Sequence, residues 1–302
     1  MLDGGAARLV VAVTTSAARE AARRHQAVGM AALALARGAT AGLLLSTLTK
    51  DEERITLQVL GNGPLGGLTV DASSKGQVRA YLRNPVVRLP PLPASADAAG
   101  RLSVAPGVGR EGIVHVVRDL GLRDTFSGET PILTGEVDED VEHYLISSEQ
   151  IDSALACDGL LDGGNGGAMI SVAGGVLVQA LPGTGGAHVV EMARARLRAG
   201  GLTHALGERP ATAEALARAA LGDAAPDLQV LDVRPVTFHC PCSRDRAAAS
   251  LSLLGGAELG TMILDDGKAE VICNFCRERY EFSETDLEGI RRDTTGTSGP
   301  PS

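Results

Sequence analysis

Apolar and polar positions divide the chain into blocks of different period. Residues 17–49 are rich in Ala and Leu with few breakers, and the run REAARRHQAVGMAALALARGATAGLLLSTLTK (19–50) predicts one or two helices. The texture then changes. ITLQVL (55–60) alternates as a strand does, GNGPLGG (61–67) turns, and LTVDASSKGQVRAYL (68–82) continues as strand-like pieces around an SSKG turn. LSVAPGVGREGIVHVVRD (102–119) predicts a strand pair around a Gly/Pro turn. EVDEDVEHYLISSEQIDSALA (136–156) predicts a helix. Its acidic opening suits the positive end of a helix, and Val141, Tyr144, Leu145 and Ile151 can share an apolar side. AMISVAGGVLVQAL (168–181) predicts two more strands.

Strands and helices mixed without regular alternation favour an α+β fold over a doubly wound sheet. Residues 1–181 form the expected N-terminal core domain, and Pro182–Gly186 marks its boundary. Beyond it, HVVEMARARLRAG (188–200) and PATAEALARAALGD (210–223) predict two short helices with thin apolar faces. They read either as an ordinary helical connection or as a metastable linker over 182–235, because short helices depend on packing for stability. A small third block covers 236–290, and RRDTTGTSGPPS (291–302) is expected to be a disordered tail.

Composition narrows the classes. Hydrophobic residues make up 44% of the 302, but aromatics only 2% with no Trp, so Val, Leu, Ile and Ala must fill the core. A formal net charge of -9 argues against a nucleic-acid partner, whose phosphates need clustered Lys and Arg. The apolar run in MLDGGAARLVVAVTTS has no basic segment before it, so no secretory signal is expected; nor does any apolar stretch reach the ~20 residues of a membrane span. The expected setting is a reducing cytoplasm, where grouped cysteines serve metal or redox chemistry more often than structural disulfides.

Four of the five cysteines are grouped. FHCPCSRDR (238–246) and EVICNFCRERYEF (270–282) place Cys240, Cys242, Cys273 and Cys276 as C-x-C-x30-C-x2-C. A tetrahedral zinc ion takes four thiolates, which two close pairs can deliver. Pro241 pushes Cys240 towards extended backbone, where residues i and i+2 share a face, and C-N-F-C suits a turn-borne knuckle. The intervening residues have room for a helix and a hairpin. Four sulfur ligands close the coordination shell, which argues against hydrolysis and leaves a static ribbon or a redox-sensitive one. His239, Arg244, Arg246, Arg277 and Arg279 crowd the thiols and are expected to favour thiolates. A segment this small also leans on its metal to fold. Cys157, alone in the predicted helix, reads as a small buried hydrophobe.

Other motifs are weaker. GNGPLG (61–66) fits G-x-G-x-x-G, but Pro64 and the strand-like LTVD after it predict a hairpin turn rather than a dinucleotide site. DGGNGG (162–167) lacks the Lys-Ser/Thr of a phosphate loop. The six histidines are scattered, and SSEQ (147–150) reads as a polar helix face.

The residues CPCSRDRAAASLSLLGGAELGTMILDDGKAEVICNFCRERYEFSETDLEGI (240–290) resemble the zinc-binding redox switch of the heat shock protein 33 family of chaperones. The resemblance continues upstream through LLSTLTKDEERITLQVLGNGPLGGLTVDASSKGQVRAYLRNP (44–85) and GEVDEDVEHYLISSEQIDSALA (135–156). It implies a redox-regulated, ATP-independent holdase whose reduced form binds one Zn2+ per chain through Cys240, Cys242, Cys273 and Cys276. It further implies that hypochlorite, or peroxide with heat, converts these into Cys240–Cys242 and Cys273–Cys276 disulfides, releasing zinc and unfolding the linker. The oxidised chain, as a homodimer, would hold unfolded or oxidatively damaged clients and later pass them to ATP-dependent foldases. The thiols would act as stoichiometric sensors, not as an enzyme's catalytic groups. The Ala-rich first third and the few aromatics depart from the family's pattern. The rivals are a constitutive zinc-ribbon binding or assembly protein with a purely structural zinc, and a thiol oxidoreductase.

Overall fold

The computed structural model describes residues 6–49, 53–87, 100–119, 125–163, 168–183, 185–208, 210–222 and 228–296. They form two compact units that divide between His239 and Cys240. The larger unit runs β1 (Ala7–Val13), α1 (Thr15–His25), α2 (Gly29–Ser46), β2 (Arg54–Gly61), β3 (Leu68–Ser73), β4 (Gln77–Leu82) and the short α3 (Ala105–Val108). It continues with β5 (Gly112–Asp119), β6 (Thr125–Pro131), α4 (Val137–Ser147), β7 (Ser153–Asp162) and β8 (Met169–Ala180). Three helices follow, α5 (Ala187–Arg198), α6 (Gly201–Gly207) and α7 (Ala213–Leu221), and then β9 (Thr237–Phe238). The smaller unit holds α8 (Arg244–Ser252), α9 (Gly256–Asp266), β10 (Lys268–Ile272), β11 (Arg279–Ser283) and α10 (Glu284–Gly296).

Two sheets build the larger unit. One has strand order β1-β8-β7 and the other β6-β5-β2-β3-β4-β9. In the second sheet the alternation of the sequence is visible as burial: Ile55, Leu57 and Val59 of β2 point inward beside Val114 and Val116 of β5. Helix α2 packs against β7 and β8 of one sheet and β2, β3 and β4 of the other, and every residue from Met30 to Ser46 is buried. A helix covered on all sides needs no polar face, which is why this stretch is apolar throughout. It has the length and hydropathy of a membrane span, contrary to the sequence expectation, yet 94% of it is buried inside the fold as a core helix.

Several local expectations are corrected. The predicted helix over 136–156 stops at Ser147; Gln150 takes a left-handed conformation at φ 57°, and Ser153 begins β7. Ile151 and Cys157 therefore lie outside the helix, and Cys157 sits buried on a strand. Residues 169–180 form one strand rather than two. Gly174 and Gly175 do not turn there: an added Cβ would stand 2.8 Å from the Ala12 carbonyl oxygen and 2.7 Å from that of Ala156, so they let β8 lie close between β1 and β7. Residues 102–119 hold the one strand β5, because Pro106 opens the short helix α3 in place of a first strand. Strands β1 and β6 and helix α6 were not anticipated as elements. Helix α10 continues to Gly296, past the expected start of the tail at 291; residues 297–302 lie outside the described residues.

Helices α5–α7 cover the face of the three-stranded sheet turned away from α2. Val189, Val190, Ala193 and Leu197 of α5 meet Ala154, Ala156, Val176 and Val178. Polar ties accompany this small apolar seam. Arg194 of α5 reaches Glu142 at 3.1 Å, Asp152 at 2.9 Å and the Ser153 carbonyl at 2.8 Å. Thr203 of α6 donates to Asp158 at 2.7 Å.

Among the described residues, the core cluster of the smaller unit has only six buried apolar side chains: Ala247, Leu251, Leu259, Ala269, Phe282 and Leu287. Ser243 caps α8 by accepting from the Arg246 amide at 3.2 Å. Gly267, at φ 63°, ends α9 and starts β10, while Arg244 stacks over Phe282 at 4.4 Å and pairs with Asp286 at 3.0 Å.

Candidate metal centre

Two pieces of backbone bring the four cysteines together. Cys240-Pro241-Cys242 lies outside helix and strand just before the Ser243 cap, so the chain is irregular until α8 begins. Cys273 and Cys276 occupy the loop of the β10–β11 hairpin, whose last strand pair is Ile272 with Arg279. The Cys273 amide donates to the Glu278 carbonyl and the Arg277 amide to the Cys273 carbonyl, both at 2.9 Å. Arg277 takes a left-handed turn at φ 61° to close the loop. This aims the amides of Phe275 and Cys276 at the Cys273 sulfur, and that of Glu278 at Cys276.

All four Sγ atoms lie within 4.8 Å of one another, with Cys240 to Cys273 at 3.7 Å and Cys242 to Cys276 at 3.2 Å. A tetrahedral ion with sulfur bonds of about 2.3 Å needs sulfur–sulfur edges of about 3.8 Å. The quartet fits that shape. The separations are also far above the ~2.05 Å of a disulfide, and all five cysteines are free thiols. Among the described residues this is the one group of three or more Cys, His, Asp or Glu side chains placed to hold a metal. His239 stands outside it, its amide bound to the Val78 carbonyl at 3.1 Å in the larger unit.

Burial pushes up the thiols of Cys273 and Cys276; Cys240 adds to it at both, and Cys242 and Cys273 add to it at Cys276, while the backbone amides pull the other way. At Cys273 and Cys276 the expected lowering by nearby arginines is not found. Arg244 is spent on Asp286, Arg279 pairs with Glu270, and Arg246 donates to the Pro241 carbonyl. Four closely packed sulfurs cannot all ionise without a cation among them. A divalent ion held there would supply the missing charge and favour the thiolate form.

A second polar cluster, in the larger unit, was missed in the sequence. Arg37, fully buried in α2, donates to Asp158 at 2.8 Å, Glu136 at 2.7 Å and the Leu102 carbonyl at 2.6 Å. Arg101 pairs with buried Asp138, which also accepts from the Cys157 amide at 2.9 Å. Burial alone would raise the Asp138 carboxyl, but Arg101 and Arg37 outweigh it and hold it below the ordinary range. The signals were a lone Arg in MAALALARGATAGLLLS and the acidic run EVDEDVE. A cleft of about 430 Å³ adjoins the cluster, lined by Arg101, Glu139, Glu142, Arg194, Arg198 and Thr203 among others. GNGPLG leads from β2 through a turn into β3 with no helix, and residues 164–167 of DGGNGG lie outside the described residues.

An α+β body followed by a small unit gathered on four thiols describes a protein with a metal-competent appendage, and comparison with known proteins says which. The family model described as Hsp33 protein matches residues 1–283. The 33 kDa chaperonin of Bacillus velezensis is 38% identical over 291 residues, 96% of each chain. That of Listeria monocytogenes serotype 4b is 38% identical over 95% of this chain and 94% of its own. The crystal structure of the 33 kDa chaperonin, a heat shock protein 33 homolog, from Thermotoga maritima superposes with a TM-score of 0.82 at 29% identity, covering 98% and 97% of the two chains. The chain belongs to the Hsp33 family of chaperones.

Proposed function

We propose that the protein is a redox-regulated holdase that keeps unfolding or oxidatively damaged proteins from aggregating without using ATP. The observation that carries this is the meeting of Cys240, Cys242, Cys273 and Cys276 in one site, inside a unit whose core cluster, among the described residues, has only six buried apolar side chains. Such a core is too small to fold well unaided, so the fold of the unit rests on the state of its sulfurs. Zn2+, one per chain, is the ion we assign to the reduced quartet, where it would hold the four thiolates in a closed shell.

Oxidation proceeds by pairs. Each pair of thiolates gives two electrons to a peroxide: one sulfur–sulfur bond forms, the oxygen–oxygen bond breaks, and the two oxygens leave as hydroxides that protons from solvent neutralise to water. The assigned products are Cys240–Cys242 and Cys273–Cys276, with Cys273–Cys276 first because a C-x-x-C ring is less strained than C-x-C. With the sulfurs paired as disulfides, four thiolates would no longer be available to hold an ion, and the smaller unit would lose its organiser. In functional terms residues 1–181 are the body, 182–235 the linker and 236–290 the switch. The linker helices α5–α7 would then release the sheet face they cover, and exposed apolar surface can bind the similar surface of unfolded clients. A homodimer in the cytoplasm, handing clients to ATP-dependent foldases once reductant returns, completes the reading.

The test follows zinc release, free thiols and suppression of client aggregation together, before and after peroxide with mild heat. Loss of four thiols with release of one zinc and a rise in holding, all reversed by reductant, supports the reading. Zinc that stays bound with unchanged holding makes the quartet a static clip and the protein a constitutive zinc-ribbon protein.

A further inference from the structure

Cys242 and the two loop cysteines receive hydrogen bonds from different kinds of donor. Cys273 and Cys276 receive hydrogen bonds from the backbone amides of their own loop, which no side-chain change removes. Cys242 receives one from a side chain: the Tyr280 hydroxyl donates to its sulfur at 3.2 Å. Tyr280 lies on β11 opposite Val271 of β10, and both pack against the core that includes Ala269 and Phe282. Side chains two apart share a strand face, so Tyr280 stands beside buried Phe282 with its ring braced and its hydroxyl carried to the metal site. The braced ring makes the contact a fixed part of the site.

We propose that the Tyr280 hydroxyl is a positioning residue that restrains Cys242 and thereby delays oxidation of the Cys240/Cys242 pair relative to Cys273/Cys276. This rests on the redox reading above and adds a side chain outside the quartet to it. A sulfur must place electron density on the attacked oxygen of a peroxide as the new sulfur–oxygen bond forms and the oxygen–oxygen bond breaks. A hydrogen bond to the sulfur draws that density back and must weaken as the sulfur is oxidised, so it slows the attack. The Cys240 thiolate then displaces hydroxide from the oxidised Cys242, closing the disulfide and completing a two-electron transfer. With the donor gone, Cys242 reacts sooner and the order of the pairs narrows or inverts.

The experiment uses the full chain, reduced and zinc-loaded, as wild type, Tyr280→Phe and Val271→Ala. Hydrogen peroxide is added, and the two cysteine pairs are followed separately by alkylation and mass spectrometry, with zinc release and holding activity recorded alongside. In Tyr280→Phe the Cys240/Cys242 pair should be lost about threefold to tenfold faster, a fraction of what a hydrogen bond to a charged group contributes, with Cys273/Cys276 unchanged. Val271→Ala loosens the ring's packing but keeps the hydroxyl, and should accelerate both pairs alike or neither. Unchanged rates in Tyr280→Phe, or equal acceleration of both pairs, overturn the proposal while leaving the redox reading in place. The same pair-selective change in Val271→Ala makes Tyr280 a packing residue and also overturns it. If wild-type thiols do not oxidise at all, the redox reading falls and this inference with it.

Discussion

Replacing Arg194 by Met should loosen α5 without disturbing the sheet beneath it. The Met side chain keeps the apolar stem of the arginine but loses three polar contacts: Glu142 at 3.1 Å, Asp152 at 2.9 Å and the Ser153 carbonyl at 2.8 Å. They are not of equal worth. Asp152 is 44% exposed, so its ion pair contributes close to nothing. Glu142 is 7% exposed, and a hydrogen bond to such a charge is worth about 1.5–3 kcal/mol. Part of that survives, because Arg198 still reaches the same oxygen at 3.2 Å, although Arg198 itself is largely exposed. Adding about 1 kcal/mol for the Ser153 carbonyl gives a loss of about 2 kcal/mol. That should raise the population with α5 detached about 30-fold.

Hydrogen exchange of peptides from α5, compared with peptides from β7 and β8, reads this directly. The titration of Glu142 adds a second signature. Burial lifts its carboxyl above the ordinary glutamate range, only partly offset by the Leu155 amide and the two arginines. A carboxyl with a folded pKa above its unfolded one favours the fold while protonated, and that contribution is lost as pH rises through the folded value. Removing Arg194 lifts the carboxyl further. The deficit of the variant should therefore be full above the raised value and shrink as pH falls through it towards the ordinary glutamate range. Equal acceleration of exchange in α5 and the sheet, a change under about threefold in α5, or a deficit that grows on acidification would refute this account.

Two further outcomes test the core. Gly42→Ala places a Cβ 2.6 Å from a methyl of Val70, which is buried and stiff. The overpacking cost of about 1–3 kcal/mol should outweigh the ~1 kcal/mol of helix propensity gained. Chemical denaturation should show a less stable protein, and a more stable one would mean that β3 yields easily. Cys157 is buried, and burial first, then Asp138, pushes its thiol well above the usual value. Alkylation of the reduced, chelator-treated protein should label the other four thiols and reach Cys157 only in denaturant. Labelling of all five at one rate would show that the strand opens readily.

The candidate site was legible because its determinants are local. A cysteine pair with one residue between, a second with two between, Pro241 breaking helix, and a segment too short to bury much core are all properties of spacing and length. The exposed-face strands were legible for the same reason: β2 shows one face to the core, so Ile55, Leu57 and Val59 alternate with less buried positions. Helix α2 was legible from the length of its Ala/Leu run. The resemblance to a known family rested on this spacing together with the stretches 44–85 and 135–156 upstream of it.

What the tertiary structure decided depends on partners far along the chain. Strand β7 is buried from Ser153 to Gly159, with α2 on one side and α5–α7 on the other, so its sequence carries no alternation and reads as the continuation of α4. Strand β6, TFSGETP, has little apolar content and exists because β5 offers it an edge. Arg37 looks like a flaw in an apolar helix until Asp158 and Glu136, about a hundred residues later, arrive beside it. Tyr280 meets Cys242 only because the hairpin folds back on the segment before α8. Local period and ligand spacing are written into consecutive residues. Burial on two faces and the pairing of distant charges come from packing, and no window of the sequence contains both partners.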